Sequence, residues 1–372
     1  MPATSRSKKS KSRPAANTAI SQPIVEDSSI QTALSCFSPS SKYLAYVSLA
    51  VDKHRLRIYD AVTGQSVAEH TPVSARVSAL SWGQIGIHTR DASPSRKKRR
   101  KSVQQSTDEL VLLGLSDGSI VLISPKHGRA LHALSHPSCS APILAIASTA
   151  DTLWTSCADG NIYLWNIQAH ELIDTWKTED RIPYTSLALH PTDTSILAAH
   201  HSIRLLQAVS DSDLQNPNEL ALFTGHVSSI KQLRWDSSKP RFFSMAEGDR
   251  IISLWEVPDS GREGRMVASI QLDSDVRSIS LGDGSSEQQA LLALTASGKV
   301  SICPIPSELI PPASARTQHK VSTLLPCTVM LQKGGNAAQS IAASFIPNRD
   351  GAVRIARVVA GIRPVFDDIV SL

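Results

Sequence analysis

The sequence predicts an all-β fold, and three observations support that prediction. Short apolar runs of four to eight residues recur along the chain, and clusters of Ser, Asp, Gly and Pro separate them. Few segments show the sustained period of an amphipathic helix, whereas short strands between regularly spaced turns are typical of sandwiches, barrels and propellers. Hydrophobic residues make up 41% of the 372 residues, which allows a large buried core and excludes a wholly disordered chain.

An internal repeat selects the propeller among these architectures. The segment Asp159–Trp165 is a turn followed by an alternating strand, and Asp249–Trp255 repeats it. A histidine precedes the aspartate by 23 residues in both copies, His136 in the first and His226 in the second. This spacing is typical of WD40 repeats, in which four strands form one blade of a β-propeller. We expect His136, Asp159, Trp165, His226, Asp249 and Trp255 to form buried structural hydrogen-bond networks, not catalytic groups.

Weaker copies of the repeat fill the rest of the chain at a period of about 40 to 50 residues. With these copies the sequence predicts a seven-bladed WD40 β-propeller over residues 29–372. In chain order the weaker copies lie at Leu56–Asp60, Asp117–Ile123, Ile203–Leu206, Gly298–Cys303 and Gly351–Ile355.

Blade two carries an insertion. The interval from Tyr59 to Ile123 is 64 residues, whereas the next interval, from Ile123 to Trp165, is 42 residues. The surplus falls between Trp82 and Glu109, so residues 83–108 are predicted to form a basic loop between two strands. Residues 1–28 are rich in Ser, Lys, Ala and Pro, and we expect them to form a disordered basic tail.

The positive charge of the chain is concentrated in this tail and this loop. The chain has 38 basic and 33 acidic residues, but five cations lie between Arg6 and Arg13 and six form the run Arg96–Lys101. The remainder has a net charge of −6, which excludes a uniformly basic nucleic-acid-binding surface. Such runs predict nuclear-localisation signals or phosphate contacts. The candidate residues are Lys8, Lys9, Lys11, Arg13, Arg96, Lys97, Lys98, Arg99, Arg100 and Lys101.

Other patterns that resemble active or metal sites are better explained by turns. Gly114–Gly118 matches the GxSxG pattern, but the strand that follows it predicts a hairpin turn instead of a nucleophile elbow. His190, His200 and His201 flank predicted turns, and ligand sets usually need a third donor on a rigid element. We therefore predict no catalytic residue, no cofactor and no metal, and we expect a non-enzyme. No apolar run reaches the length of a membrane span.

The five cysteines predict neither a disulfide framework nor a zinc site. Their number is odd and no pair has CxxC spacing. Cys157 and Cys303 lie inside apolar runs, so we expect reduced thiols packed in the core of an intracellular protein.

The motifs together resemble a known family. The residues that carry the resemblance cover about 33–371 and include a basic insertion after Leu80–Trp82, which is more specific than the repeats themselves. They are similar to the WD repeat-containing protein 43 family, the propeller subunit of the UtpA (t-UTP) subcomplex of the small-subunit processome. The matching segments are Cys36–Pro39, Leu56–Tyr59, Arg96–Ser102, Asp108–Gly114, Gly118–Leu122, Ile203–Leu205 and Phe223–His226.

The resemblance implies a non-catalytic nucleolar scaffold in ribosome biogenesis. It implies processing of pre-18S rRNA, a link to rDNA transcription, and binding to other UtpA subunits and to the 5′ external transcribed spacer of pre-rRNA. No membrane and no small-molecule substrate are expected. The chain departs from the family at Leu206, where a Trp is usual, and in ending before the family's C-terminal helical domain. A generic nuclear WD40 adaptor, a receptor for ubiquitin-ligase or chromatin substrates, is the alternative.

Overall fold

The computed structural model is built from β-strands, and the residues that it describes contain no helix. Within the described residues twenty-eight strands, β1 to β28, form seven separate sheets. The described residues are 34–40, 42–49, 54–72, 75–87, 106–177, 181–191, 194–207, 218–236, 239–258, 263–283, 289–308, 323–326, 328–330, 340–346, 353–359 and 364–369.

Sheets 1 to 4 each contain four antiparallel strands, paired in chain order. The first strands of neighbouring sheets lie beside one another, so they form the inner wall of the molecule. Sheet 1 is β1 (Ser35–Phe37), β2 (Tyr43–Leu49), β3 (His54–Asp60) and β4 (Ser66–His70). Sheet 2 is β5 (Val77–Ile87), β6 (Ser106–Leu115), β7 (Ile120–Ser124) and β8 (Arg129–Leu134). Sheet 3 is β9 (Ile143–Ser148), β10 (Thr152–Cys157), β11 (Asn161–Asn166) and β12 (Glu171–Lys177). Sheet 4 is β13 (Ser186–Leu189), β14 (Ser195–Ala199), β15 (Ile203–Gln207) and β16 (Asn218–Phe223).

Sheets 5 to 7 depart from this regular order. In sheet 5 a short fifth strand, β24, adds in parallel to the outer strand β20, and the chain then returns to complete sheet 6 with β25. Sheet 7 has three strands. Sheet 5 is β17 (Ile230–Trp235), β18 (Arg241–Ala246), β19 (Ile251–Glu256), β20 (Arg265–Gln271) and β24 (Thr323–Leu324). Sheet 6 is β21 (Val276–Asp283), β22 (Gln289–Thr295), β23 (Val300–Pro304) and β25 (Thr328–Met330). Sheet 7 is β26 (Ser340–Ile346), β27 (Val353–Val359) and β28 (Val365–Ile369).

The all-β WD40-like propeller predicted from the sequence is confirmed, but the seven complete blades predicted with it are not. Within the described residues six sheets have at least the four strands of a complete blade, and sheet 7 has three. The repeat at Gly351–Ile355 could not reveal this difference, because it marks a single strand and carries no information on how many partners that strand finds.

The core consists of apolar clusters between neighbouring sheets. Leu112, Ile143 and Trp165, for example, belong to one cluster that joins sheets 2 and 3. Equivalent clusters lie between each successive pair of sheets up to sheets 6 and 7. A last cluster joins Leu44 and Tyr46 of sheet 1 to Ala342 and Val358 of sheet 7. The clusters therefore close into a circle, which hides both faces of the inner strands and explains why those strands read as apolar runs.

The turns within the sheets explain the GxSxG pattern. β6 ends at Leu115 and β7 begins at Ile120, so Gly114–Gly118 leads into a hairpin turn, as the sequence predicted. Gly118 has a φ of 83°, and a Cβ atom there would lie 2.1 Å from the carbonyl oxygen of Cys139. Only glycine fits both the backbone conformation and this close approach.

The prediction of reduced cysteines is wrong at one position. Cys36, Cys139 and Cys157 are free thiols, but Cys303 is disulfide-bonded. Because β25 folds back beside β23, a later part of the chain is brought to the strand that carries Cys303. The spacing of the cysteines along the sequence does not predict this strand pairing.

Candidate functional site

The basic residues singled out from the sequence lie outside the described residues. These are Lys8, Lys9, Lys11 and Arg13 of the tail, and Arg96, Lys97, Lys98, Arg99, Arg100 and Lys101 of the insertion. The structure nevertheless describes the strands that carry the insertion. β5 and β6 are paired from Val77 and Leu115 out to Ile87 and Ser106, so residues 83–87 and 106–108 of the predicted loop extend a hairpin.

Several contacts fix the base of this hairpin to sheet 1. The indole Nε1 of Trp82 donates a hydrogen bond of 3.0 Å to the carbonyl oxygen of Cys36. The carboxylate of Glu109 accepts hydrogen bonds from the backbone N–H and the hydroxyl of Ser40, at 2.8 and 2.9 Å. The ring of Tyr43 stacks against Trp82. The hairpin therefore leaves the propeller at a defined place. It lies on the face that carries the turns between the first and second strands of the sheets, which we call the lower face.

The WD40 residues of sheet 5 form a continuous hydrogen-bond network. The hydroxyl of Ser244 accepts a hydrogen bond of 2.7 Å from the indole Nε1 of Trp255 and lies 2.6 Å from Nε2 of His226. The other ring nitrogen of His226 is 3.9 Å from the Asp249 carboxylate. Burial lowers the pKa of His226, and the charge of Asp249 opposes that effect. A neutral imidazole between a hydroxyl and a carboxylate has a structural role, because it provides hydrogen-bond partners for polar groups that are buried away from water.

Sheet 3 builds a different network from the same pattern. The indole of Trp165 donates to the Thr155 hydroxyl at 3.0 Å, which parallels sheet 5, but His136 is exposed. The phenolic oxygen of Tyr163 lies 2.6 Å from the Asp159 carboxylate instead.

The reason for this difference is visible in the strand register. Tyr163 lies opposite Thr155, and in sheet 5 the corresponding residue opposite Ser244 is Ser253. The phenol of Tyr163 reaches the aspartate directly, so sheet 3 does not need an imidazole there. A large polar residue opposite Thr155, here Tyr163, is therefore the feature of the sequence that distinguishes the network of sheet 3 from that of sheet 5. The His–Asp spacing is equal in both sheets and does not show this difference.

The other histidines considered from the sequence lie at edges and turns. The ring of His190 packs edge-on against Trp235, and the rings of His200 and His201 contact each other on the upper face, opposite the lower face. Burial and the charges of His201 and Lys231 lower the pKa of His200. Among the described residues no group of three or more His, Cys, Asp or Glu side chains could hold a metal ion. The same residues include no helix that could cross a membrane.

A cavity in the centre of the ring is the main feature that the sequence analysis missed. Its volume is about 350 Å³, and its walls come from the first strands of sheets 1, 2, 5, 6 and 7. Among the described residues one charged side chain, Arg234 of β17, lines this cavity, and no carboxylate does. The remaining polar lining residues are Gln232, Ser35, Ser38, Ser81, Ser278, Ser280 and Ser344, with Cys36.

Arg234 is enclosed by protein and yet exposed to the interior of this cavity. Burial lowers the pKa of its guanidinium group, and the single opposing effect comes from Cys36. Burial in turn raises the pKa of Cys36 to about 12, so its thiol is neutral at physiological pH and does not balance the arginine charge. The next carboxylate along the chain, Asp236, is buried and paired with Arg241.

Comparison with known proteins identifies relatives over most of the chain. The chain is 25% identical over 288 residues to human WD repeat-containing protein 43, a match that covers 72% of the chain. It is 23% identical over 272 residues to U3 small nucleolar RNA-associated protein 5 of Saccharomyces cerevisiae, again over 72% of the chain. The chain is a homologue of both proteins. The family resemblance predicted from the sequence is therefore confirmed. A scan against protein-family models finds no match.

The relatives are longer than this chain. The matched region covers 41% of the human protein and 39% of the yeast protein, so the chain spans about two fifths of their length. A solved chain titled "Crystal Structure of Mitotic Checkpoint Complex" has a similar fold, with a TM-score of 0.62 over 98% of this chain and 100% of that one. Its sequence identity is 14%, so this likeness concerns the fold alone.

Proposed function

We propose that the protein is a non-catalytic nucleolar scaffold in ribosome biogenesis, acting in the small-subunit processome and supporting pre-18S rRNA processing. The observation that carries this proposal is the homology to U3 small nucleolar RNA-associated protein 5, which extends over the propeller. The proposed partners are other subunits of the UtpA subcomplex and the 5′ external transcribed spacer of pre-rRNA. A role linked to rDNA transcription belongs to the same proposal.

The arrangement of the ring supports a scaffold. Trp255 and Trp165 of the repeat pattern donate hydrogen bonds to buried hydroxyl groups inside their sheets. Sheet 7 packs between sheets 6 and 1, which favours a single seven-bladed ring despite its three described strands. A closed ring of this kind offers two broad faces and an outer rim for binding, and the chemistry at such surfaces is set by loops.

The basic insertion is the proposed phosphate-contacting and nuclear-retention element. The hairpin that carries this insertion is fixed at its base by the contacts of Trp82 and Glu109 with sheet 1. Six adjacent cations, Arg96–Lys101, would bind RNA phosphates through charge, without reading bases. The remainder of the chain is net acidic, so this contact would be local.

The test is an affinity purification of the full chain from nuclei. We expect recovery of small-subunit processome proteins together with U3 small nucleolar RNA. A matched variant replaces the six residues Arg96–Lys101 by six glutamines, which keeps the loop length. We expect this variant to lose nucleolar retention and RNA while keeping protein partners. Recovery of a ubiquitin-ligase core or of chromatin proteins without processome subunits would refute the proposal in favour of the nuclear adaptor.

A further inference from the structure

The strand register defines one position that recurs in every sheet of the ring, and in sheets 1, 2, 5, 6 and 7 it lines the central cavity. In sheets 2, 3, 5, 6 and 7 this position is two residues after the first-strand residue that follows the β-bulge. In sheets 1 and 4 it is the residue whose carbonyl oxygen accepts the indole hydrogen bond of Trp82 or Trp235. In sheet 5 it is Arg234, which lies opposite Phe243. In the other six sheets it is a small residue: Cys36, Ser81, Ala147, Ala188, Ser280 and Ser344. Sheet 5 therefore breaks a rule that the rest of the ring keeps.

The next position on the same face of the first strand repeats this contrast. Sheet 5 has Gln232 there, two residues before Arg234 and on the same side of the strand. The corresponding residues of sheets 2, 3, 4, 6 and 7 are Ala79, Ala145, Ser186, Ser278 and Ala342. Sheet 1 has Leu34 at this place, which is large but apolar. The β17 strand thus brings two long polar side chains to places where the other sheets have small or apolar residues.

The hydrogen-bond donors at this place are largely unused. A guanidinium group has five N–H donors, and within the described structure Arg234 uses one, from Nη1 to the carbonyl oxygen of Leu233 at 3.0 Å. The side-chain oxygen of Gln232 accepts from the backbone N–H of Ile279 at 2.9 Å, which leaves its amino group as a donor. For the hydroxyl of Ser81 the described part of the chain shows no hydrogen bond, although this residue lines the cavity.

We propose that the central cavity binds the phosphate group of a small phosphate monoester, with Arg234 as the charged donor and Gln232 and Ser81 as neutral donors. Within the described part of the chain Arg234 has no carboxylate partner, so an anion would balance its charge. A planar guanidinium matches two phosphate oxygens at once. The volume of about 350 Å³ is in the range of small-molecule sites. The aromatic rings of Phe37, Trp82 and Trp235 line the same cavity and would pack against the body of the ester.

This site is independent of the proposed scaffold function, because the insertion and the cavity use different residues. The test is calorimetric titration of the full chain with inorganic phosphate and, separately, with a nucleoside monophosphate, at constant ionic strength with chloride as the reference anion. Both probes should bind the native chain. Arg234→Gln should weaken both at least about tenfold, since a hydrogen-bonded charge is lost. Arg234→Lys should restore part of the affinity because it returns the charge without the planar donor pair.

The matched control is Arg265→Gln, which removes an equal charge from the exposed outer strand β20, where Arg265 pairs with Glu256. This variant should bind both probes as the native chain does. Ser81→Ala removes a neutral donor and should weaken binding by a few-fold; circular dichroism checks that each variant is folded. Absence of phosphate binding by the native chain would overturn the proposal. Equal losses in Arg234→Gln and Arg265→Gln would also overturn it, since binding would then follow net charge. If inorganic phosphate alone binds, the assignment to a monoester fails.

Discussion

Replacing Ser244 by alanine tests how much the network of sheet 5 stabilises the ring. The Ser244 hydroxyl is fully buried and serves two partners, the indole of Trp255 at 2.7 Å and the imidazole of His226 at 2.6 Å. Alanine leaves both groups buried without that partner, and each such loss costs about 1–3 kcal/mol. We therefore expect the free energy of unfolding to fall by about 2–5 kcal/mol, measured by urea denaturation.

The control for this experiment is Ser253→Ala. Ser253 is also buried and lies directly opposite Ser244 on the neighbouring strand, but the described structure shows no side-chain hydrogen bond for it. Its replacement should change stability by less than about 1 kcal/mol. A double substitution of His226 and Ser244 should cost less than the sum of the single ones, because the two share one hydrogen bond. A Ser244→Ala protein as stable as the native chain would refute the network as a stabilising element.

Two further predictions concern pH and backbone geometry. Burial lowers the pKa of His226 in the folded state. Below about pH 6.5 the unfolded chain therefore binds more protons, and stability decreases as the pH decreases. His226→Gln should flatten this dependence in thermal melts from pH 7.5 to 5, and a dependence as steep as that of the native chain would contradict the prediction. Gly118→Ala should destabilise the protein by at least about 1 kcal/mol more than Gly248→Ala. Both glycines have a positive φ, but only at position 118 would a Cβ atom lie against the carbonyl oxygen of Cys139. Equal melting temperatures for the two variants would contradict this prediction.

The architecture was predictable because the repeat pattern and the packing have a common cause. Apolar inner strands such as β22 must be covered on both faces, and the recurring turns divide the chain into short strands, four to a sheet in sheets 1 to 4. The position of the hairpin turn at Gly118 was predicted for the same reason. Local sequence determines these features, so they can be read without knowing which sheets are neighbours.

Features that depend on distant parts of the chain were not predicted. The detour through β24 and the disulfide at Cys303 depend on a chain reversal after sheet 6, which no local pattern marks. The exposure of His136 depends on Tyr163, one strand away, which takes over the contact with Asp159. Equal spacing along the sequence predicts equivalent places in the fold, but the contacts at those places depend on the side chain across the strand.

The same reasoning separates the residues that build the ring from those available for binding. A repeat fixes its own core, so the residues that match it in all blades are explained by packing, as Trp255 and Leu44 are. Departures from the repeat need another explanation. The structure has two departures that packing of the ring does not explain. One is the long β5–β6 hairpin on the lower face. The other is Arg234, which carries an unbalanced charge where six other sheets place a small side chain. The guanidinium group is accessible to the cavity, so a bound anion there could pair with it directly. We therefore propose anion binding as the reason for an arginine at this position.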